Sequence, residues 1–235
     1  MDPLRGGTDG PRRRGPGRFR ESAAARHHYV WGGQTSSEED DPLCAQLDSA
    51  PAEPDNYEEV RGVYESVGAE YPSTTGNWET PTGHAVDRVA AVLAALPPEP
   101  ASDKYVLLIT DGDADTCQIR NPQCGQDRAV RAVQDARAAG IVTVPIGIDG
   151  TPCNSNAGRC GADYIQDLAN AGAGLVVEPP PPNYEFQQCV VATGGLTASY
   201  GNPAGSAPAR IAGTVESLRE VISDALQSII DGTAP

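Results

Sequence analysis

The chain of 235 residues is poor in lysine, in large aromatics and in long apolar runs. Lys104 is its only lysine, and Phe and Trp occur twice each. No stretch of about twenty apolar residues exists, which excludes a membrane-spanning helix. Residues 1–28 contain no apolar core of a secretory signal, so none is read there. No Cys-x-x-Cys occurs, and the three histidines (His27, His28, His84) lie far from the cysteines. Both absences argue against structural zinc. There is no Gly-x-Ser-x-Gly elbow and no patterned partner for any histidine, which removes support for a hydrolase triad.

What is present is Gly (26 residues), Pro (21) and acid. With 39% hydrophobic residues the length covers one α/β core and a large share of loop. The formal net charge of −15 disfavours nucleic acid and anionic membranes and favours cations or basic partners. The charge is uneven. Residues 1–26 hold seven arginines against three acids, and the remainder carries 10 basic residues against 29 acidic ones. Six cysteines in such a chain point to an oxidising compartment, hence to an extracellular or cell-surface location. Cys117 with Cys124 and Cys153 with Cys160 close short loops, which leaves Cys44 for Cys189. Six cysteines allow 15 connectivities, and zinc is the rival use.

Residues 1–28 read as a disordered Arg/Gly/Pro-rich tail, with a basic nucleic-acid arm as the functional alternative. Residues 29–235 read as one domain, with 32–55 a polar loop. Tyr57–Val67 has helical spacing, with Val60, Val63 and Tyr64 on one face. His84–Leu96 is amphipathic, through Val86, Val89, Ala90 and Leu93, and Pro97-Pro98 ends it. Lys104–Thr110 reads as a strand buried on both faces. A loop over 116–125 precedes a helix at Asp127–Ala139 stopped by Gly140. A strand over Ile141–Ile148, a helix over Ala162–Ala171 ended by Gly172, and a third strand over Leu175–Glu178 follow. Residues 183–213 read as an irregular insert. Thr214 then caps a helix over Val215–Ile230, whose apolar seam is Val215, Leu218, Ile222, Ala225 and Ile229. The alternation predicts a doubly wound α/β fold, with a mostly parallel sheet and helices on both faces.

The strand Tyr105-Val-Leu-Leu-Ile-Thr110 delivers Asp111 at its carboxyl end, where ligands of open α/β sheets bind. A carboxylate there, met by the hydroxyl of Thr80, makes an all-oxygen site suited to Mg2+, Mn2+ or Ca2+. Thr82 and Asp113 are candidates for a supporting role around it. The plain alternatives are a turn residue at Thr80, a helix cap at Thr82, a strand-end turn at Asp111 and a solvated Asp113.

Three segments in order, Thr80-Pro-Thr-Gly-His-Ala85, Tyr105-Val-Leu-Leu-Ile-Thr-Asp-Gly112 and Gly140-Ile-Val-Thr-Val-Pro-Ile-Gly-Ile148, resemble the von Willebrand factor type A domain. The likeness covers about residues 56–231 and is nearest to secreted or surface-anchored bacterial members. It implies a metal-ion-dependent adhesion site at the carboxyl edge of the sheet. Thr80 and Asp111 would be metal ligands there, and a carboxylate from a protein partner would complete the shell. The implied role is metal-dependent adhesion rather than catalysis. The family's Asp-x-Ser-x-Ser motif, which follows the central strand, occurs nowhere in this chain; Asp48-Ser-Ala does not meet it. The expectation that follows is an incomplete or frame-shifted gene product, folded from near Tyr29, which also accounts for the missing signal peptide. The alternative is a structural module of the same fold with a degenerate metal site.

Asp111-x-Asp113-x-Asp115 after a hydrophobic strand also resembles the first motif of haloacid-dehalogenase-type phosphatases, which use Mg2+. Those enzymes need a lysine downstream, whereas Lys104 lies upstream. An EF-hand loop from Asp111 has Thr116 where Gly is needed and Pro122 where Glu is needed. His84 reads as an ordinary first-turn helix residue, and Asp115 as solvated loop.

Overall fold

Two adjacent parallel strands form the middle of the molecule: β3 over Lys104–Thr110 and β4 over Ile141–Ile148. Their register runs from Lys104 opposite Ile141 to Thr110 opposite Gly147. The computed structural model describes residues 25–27, 47–49, 81–96, 104–110, 122–148, 161–177 and 207–234, together with positions 58, 61, 62, 65 and 114. Ahead of β3, a two-stranded antiparallel ribbon joins β1 (Ala25–His27) to β2 (Leu47–Ser49). The sequence pattern gave no sign of either strand. Of the expected Tyr57–Val67 helix, the described residues Glu58, Arg61, Gly62 and Glu65 are helical and exposed, and Arg61 pairs with both acids.

The remaining elements are helix α1 (Thr82–Ala95), α2 (Pro122–Ala138), α3 (Gly161–Ala173), strand β5 (Arg210–Ala212) and helix α4 (Val215–Ile230). The fold is mixed α/β, with a three-stranded parallel sheet in the order β3-β4-β5. β4 is central, and its first seven residues are buried. That burial explains why it reads as a nearly continuous apolar run.

Side chains alternate between two cores. Val106 and Leu108 of β3 and Ile141 of β4 join Val86 and Val89 of α1, Val130 and Val133 of α2, and Tyr164 and Leu168 of α3. Val142, Val144 and Ile146 of β4 pack instead with Ala225, Leu218 and Ile222 of α4, and Tyr105 and Leu107 lie against this second core. Period-two alternation along the strands separates the two sets.

Two glycines let α3 lie close on β4. A Cβ on Gly172 would stand 2.0 Å from the Thr143 carbonyl oxygen, and one on Gly147 would meet Ile165 at 2.6 Å. Gly172 was expected to end this helix. The structure instead carries the helix on to Ala173 and turns at Gly174, whose φ of 75° needs no Cβ. The amide of Leu175 then reaches back to the Asn170 carbonyl at 2.8 Å.

Three further expectations are corrected. The third sheet strand is Arg210–Ala212, inside the stretch read as an irregular insert, whereas Val177 makes only an isolated bridge. Its brevity hid it: three residues give no periodic signal. α2 begins at Pro122 rather than Asp127, because proline suits a first helical turn; Cys124 therefore sits in helix rather than loop. Val215 does not belong to the buried seam of α4, being 61% exposed. The Thr214 cap is as read: its Oγ1 accepts from the Ser217 amide at 3.1 Å, and Ser217 Oγ accepts from the Thr214 amide at 2.9 Å. Gly140 likewise ends α2, with φ of 80°.

A Gly172→Ala variant should lose about 1–3 kcal/mol through overpacking against the Thr143 carbonyl. Gly62→Ala, with nothing within 4 Å of the added carbon, should lose no stability by this route. Midpoints of urea unfolding for the two variants check the contrast.

Candidate functional site at the carboxyl edge of the sheet

The only lysine fixes how α1 lies on the sheet. Lys104 opens β3, and its Nζ donates to the carbonyl of Leu93 and, at 3.3 Å, to that of Leu96. These carbonyls belong to the last turn of α1, where a cation satisfies orphan acceptors and the helix dipole together. The carboxyl end of α1 thus sits beside the amino end of β3. Val86 and Val89 share a core with Val106 and Leu108, so the helix runs back along the strand. Fourteen helical residues span about 21 Å and seven strand residues about 23 Å. Thr82 at the start of α1 and Thr110 at the end of β3 therefore come to the same edge. Both are buried, and both are engaged in polar interactions.

The start of α2 completes this edge. A Cβ on Gly83 would lie 2.8 Å from the backbone of Arg128, so the amino-terminal turns of α1 and α2 meet almost backbone to backbone. Arg128, largely buried, forms an ion pair with Asp87 one turn further along α1. Gln126 and Asp127 are buried beside it and have polar partners. Sequence reading took Asp127 simply as the start of a helix. No periodicity marks a polar residue as buried when its partners come from another helix.

Thr80, Asp111 and Asp113, the expected metal ligand pair and one of its supporting residues, lie outside the described residues, as do the side chains of Cys44, Cys117, Cys124, Cys153, Cys160 and Cys189. Thr82 is the one candidate the structure describes. Among the described residues, no group of three or more His, Cys, Asp or Glu side chains is gathered to hold a metal. Nor is any helix of the described residues long and apolar enough to cross a membrane. The lysine at the amino end of β3 is about 20 Å from the Asp111 end, counting strand residues.

Behind the edge, α3 holds the approach to β5 by its side chains. Asn170 Oδ1 accepts from the Ala207 amide at 2.9 Å, and Gln166 Nε2 donates to the Ala207 carbonyl at 2.8 Å. The two side chains satisfy one buried backbone unit as a neighbouring strand would. On the other face, Arg210 of β5 donates to Ser228 Oγ of α4 at 3.2 Å. Thr143 Oγ1 and the Tyr164 hydroxyl are buried without a hydrogen-bond partner, and burial, then Asp167, pushes the Tyr164 phenol far above its usual range.

Compared with models of protein families, with curated proteins and with solved structures, the chain matches none.

His84 gives this edge a pH signature. Burial first, then Arg128 and Arg88, hold its pKa down from 6.5 to about 4, and its Nδ1 is buried without a partner. The folded state thus keeps the imidazole neutral while the unfolded chain takes up a proton below pH 6.5. The stability contributed is full above pH 6.5 and is lost as the pH falls towards 4, a change of about 3 kcal/mol. His84→Gln should flatten the stability profile across that window, read by urea unfolding at each pH. An unchanged slope would assign the acid sensitivity elsewhere.

Proposed function

We propose that this chain is a metal-ion-dependent protein-binding module on a doubly wound sheet, of the von Willebrand factor type A kind, acting outside the cell or at its surface. A divalent cation, Mg2+ or else Mn2+ or Ca2+, is held at the carboxyl edge by Thr80 and Asp111, with Thr82 and Asp113 behind them. The observation that carries the reading is the antiparallel course of α1 along β3. It brings Thr82, two residues after Thr80 in sequence, and Thr110, the residue before Asp111, to one edge, although about thirty residues separate the two segments. The donors this edge offers by sequence are hydroxyl and carboxylate oxygens, which fit a hard cation. Few protein charges leave such a cation electrophilic, so a carboxylate from a protein partner can enter its shell. Pro81 as the residue before α1 offers no side-chain acceptor to the helix amides, and the first turn of α1 holds no acid. A positive helix end of this kind suits an incoming anion. The capping role of Lys104, at the far end of β3, speaks against a phosphatase in which a lysine grips the phosphoryl group.

A second reading rests on the missing Asp-x-Ser-x-Ser motif: the same scaffold with its metal site lost, serving as a structural module. Thermal unfolding with and without millimolar Mg2+ or Mn2+ separates the two. A metal at ten times its dissociation constant adds about 1.4 kcal/mol, which raises the melting temperature by about 3–5 °C. Asp111→Ala should abolish that rise and leave the metal-free melting temperature near that of the parent. No rise, or a rise retained in Asp111→Ala, would leave the structural module as the reading.

A further inference from the structure

Helix α4 carries more apolar surface than the sheet covers. Val215, Leu226 and Ile230 are 61%, 44% and 55% exposed. At intervals of eleven and four residues they share one flank of the helix with half-buried Ile222. The bond from Arg210 to Ser228 turns the opposite flank towards β5, so the apolar flank faces the β3 side. On that same face of the sheet Ile109, the sixth of the seven residues of β3, is 40% exposed. Beside the apolar flank runs an acidic stripe of Glu216, Glu220, Asp224 and Asp231, all exposed. The helix has one basic residue, Arg219, within the apolar flank. Single exposed aliphatics need no explanation, but these lie in one row along a helix of about 24 Å, an arrangement that suits a binding face.

The charges select the occupant. A second copy docked through the same face would set one acidic stripe against another, in a protein that already carries −15. The chain's own Arg-rich segment 1–26 matches the stripe but has only Met1, Leu4 and Phe19 as larger apolar residues, widely spaced and too few for the apolar row. A phospholipid surface with anionic headgroups is repelled. We infer that the outer face of α4 docks a basic amphipathic helix of a partner protein. Its aliphatic side chains cover Leu226, Ile230 and Ile109, and its Lys and Arg residues border Glu220 and Asp224. Helix-on-face docking of this type uses apolar anchors for affinity and charge for selection. Docking through this face needs no metal.

The test uses the full chain and two synthetic helical peptides, one with leucine and lysine faces and one with leucine and glutamate faces. Fluorescence anisotropy of the labelled peptides reports binding. The lysine peptide should bind and weaken as salt is raised, and the glutamate peptide should not bind. Glu220→Gln with Asp224→Gln should weaken the lysine peptide about fivefold, and Leu226→Ser with Ile230→Ser by at least about tenfold. Melting temperatures near that of the parent show that both variants are folded; if the serine pair does not fold, the glutamine pair decides. Equal binding of both peptides, or binding untouched by either pair of substitutions, would overturn the proposal. So would binding of neutral phosphatidylcholine vesicles that Leu226→Ser with Ile230→Ser abolishes, or a concentration-dependent dimer lost in that variant. The first would assign the face to a membrane and the second to another copy of the chain.

Discussion

Everything described here leans on one strand with no polar face. β4 is buried from Ile141 to Gly147, so it must be covered above and below as well as paired on both sides. α3 covers one face at a distance only glycine allows: Gly172 over Thr143 and Gly147 under Ile165 set the separation. α4 covers the other through Ala225, the one residue of that helix that is fully enclosed. Close packing of this sort transmits position. With α3 seated, Gln166 and Asn170 reach the Ala207 backbone, and β5 falls into register beside β4.

The parts of this architecture that could be read from sequence are those in which one chemical signal fills the whole element. Lys104–Thr110 and Ile141–Ile148 are mostly apolar, and both strands stand where the pattern put them. Val215–Ile230 carries its own start signal in Thr214 and the serine three residues on. The misreadings share a cause. Gly172 looks like a helix stop when only the helix is considered, and its reason for being glycine lies on β4. Arg210–Ala212 is too short to have a period and is a strand only because β4 offers it an edge. The ribbon of Ala25–His27 with Leu47–Ser49 lies likewise in segments without alternation.

At the candidate site the balance is similar. Thr82 and the end of β3 stand out in the sequence because a hydroxyl and a carboxylate after an apolar strand have a chemistry of their own, and the structure describes Thr82 and Thr110 as buried. Gln126, Asp127, Arg128 and the burial of His84 were not, because their setting comes from two helix starts meeting at Gly83. The sequence pattern marks what a residue can bind. It does not mark which polar groups the fold removes from water, as it does the imidazole of His84.

A chain with one lysine also has one side-chain amine. The Nζ of Lys104 donates to the Leu93 and Leu96 carbonyls, at the corner where the end of α1 meets the start of β3. Acylation in turn removes the charge and the donors that seat the helix. Any lysine-directed crosslink or tag on this protein therefore carries the loosening of α1 with it.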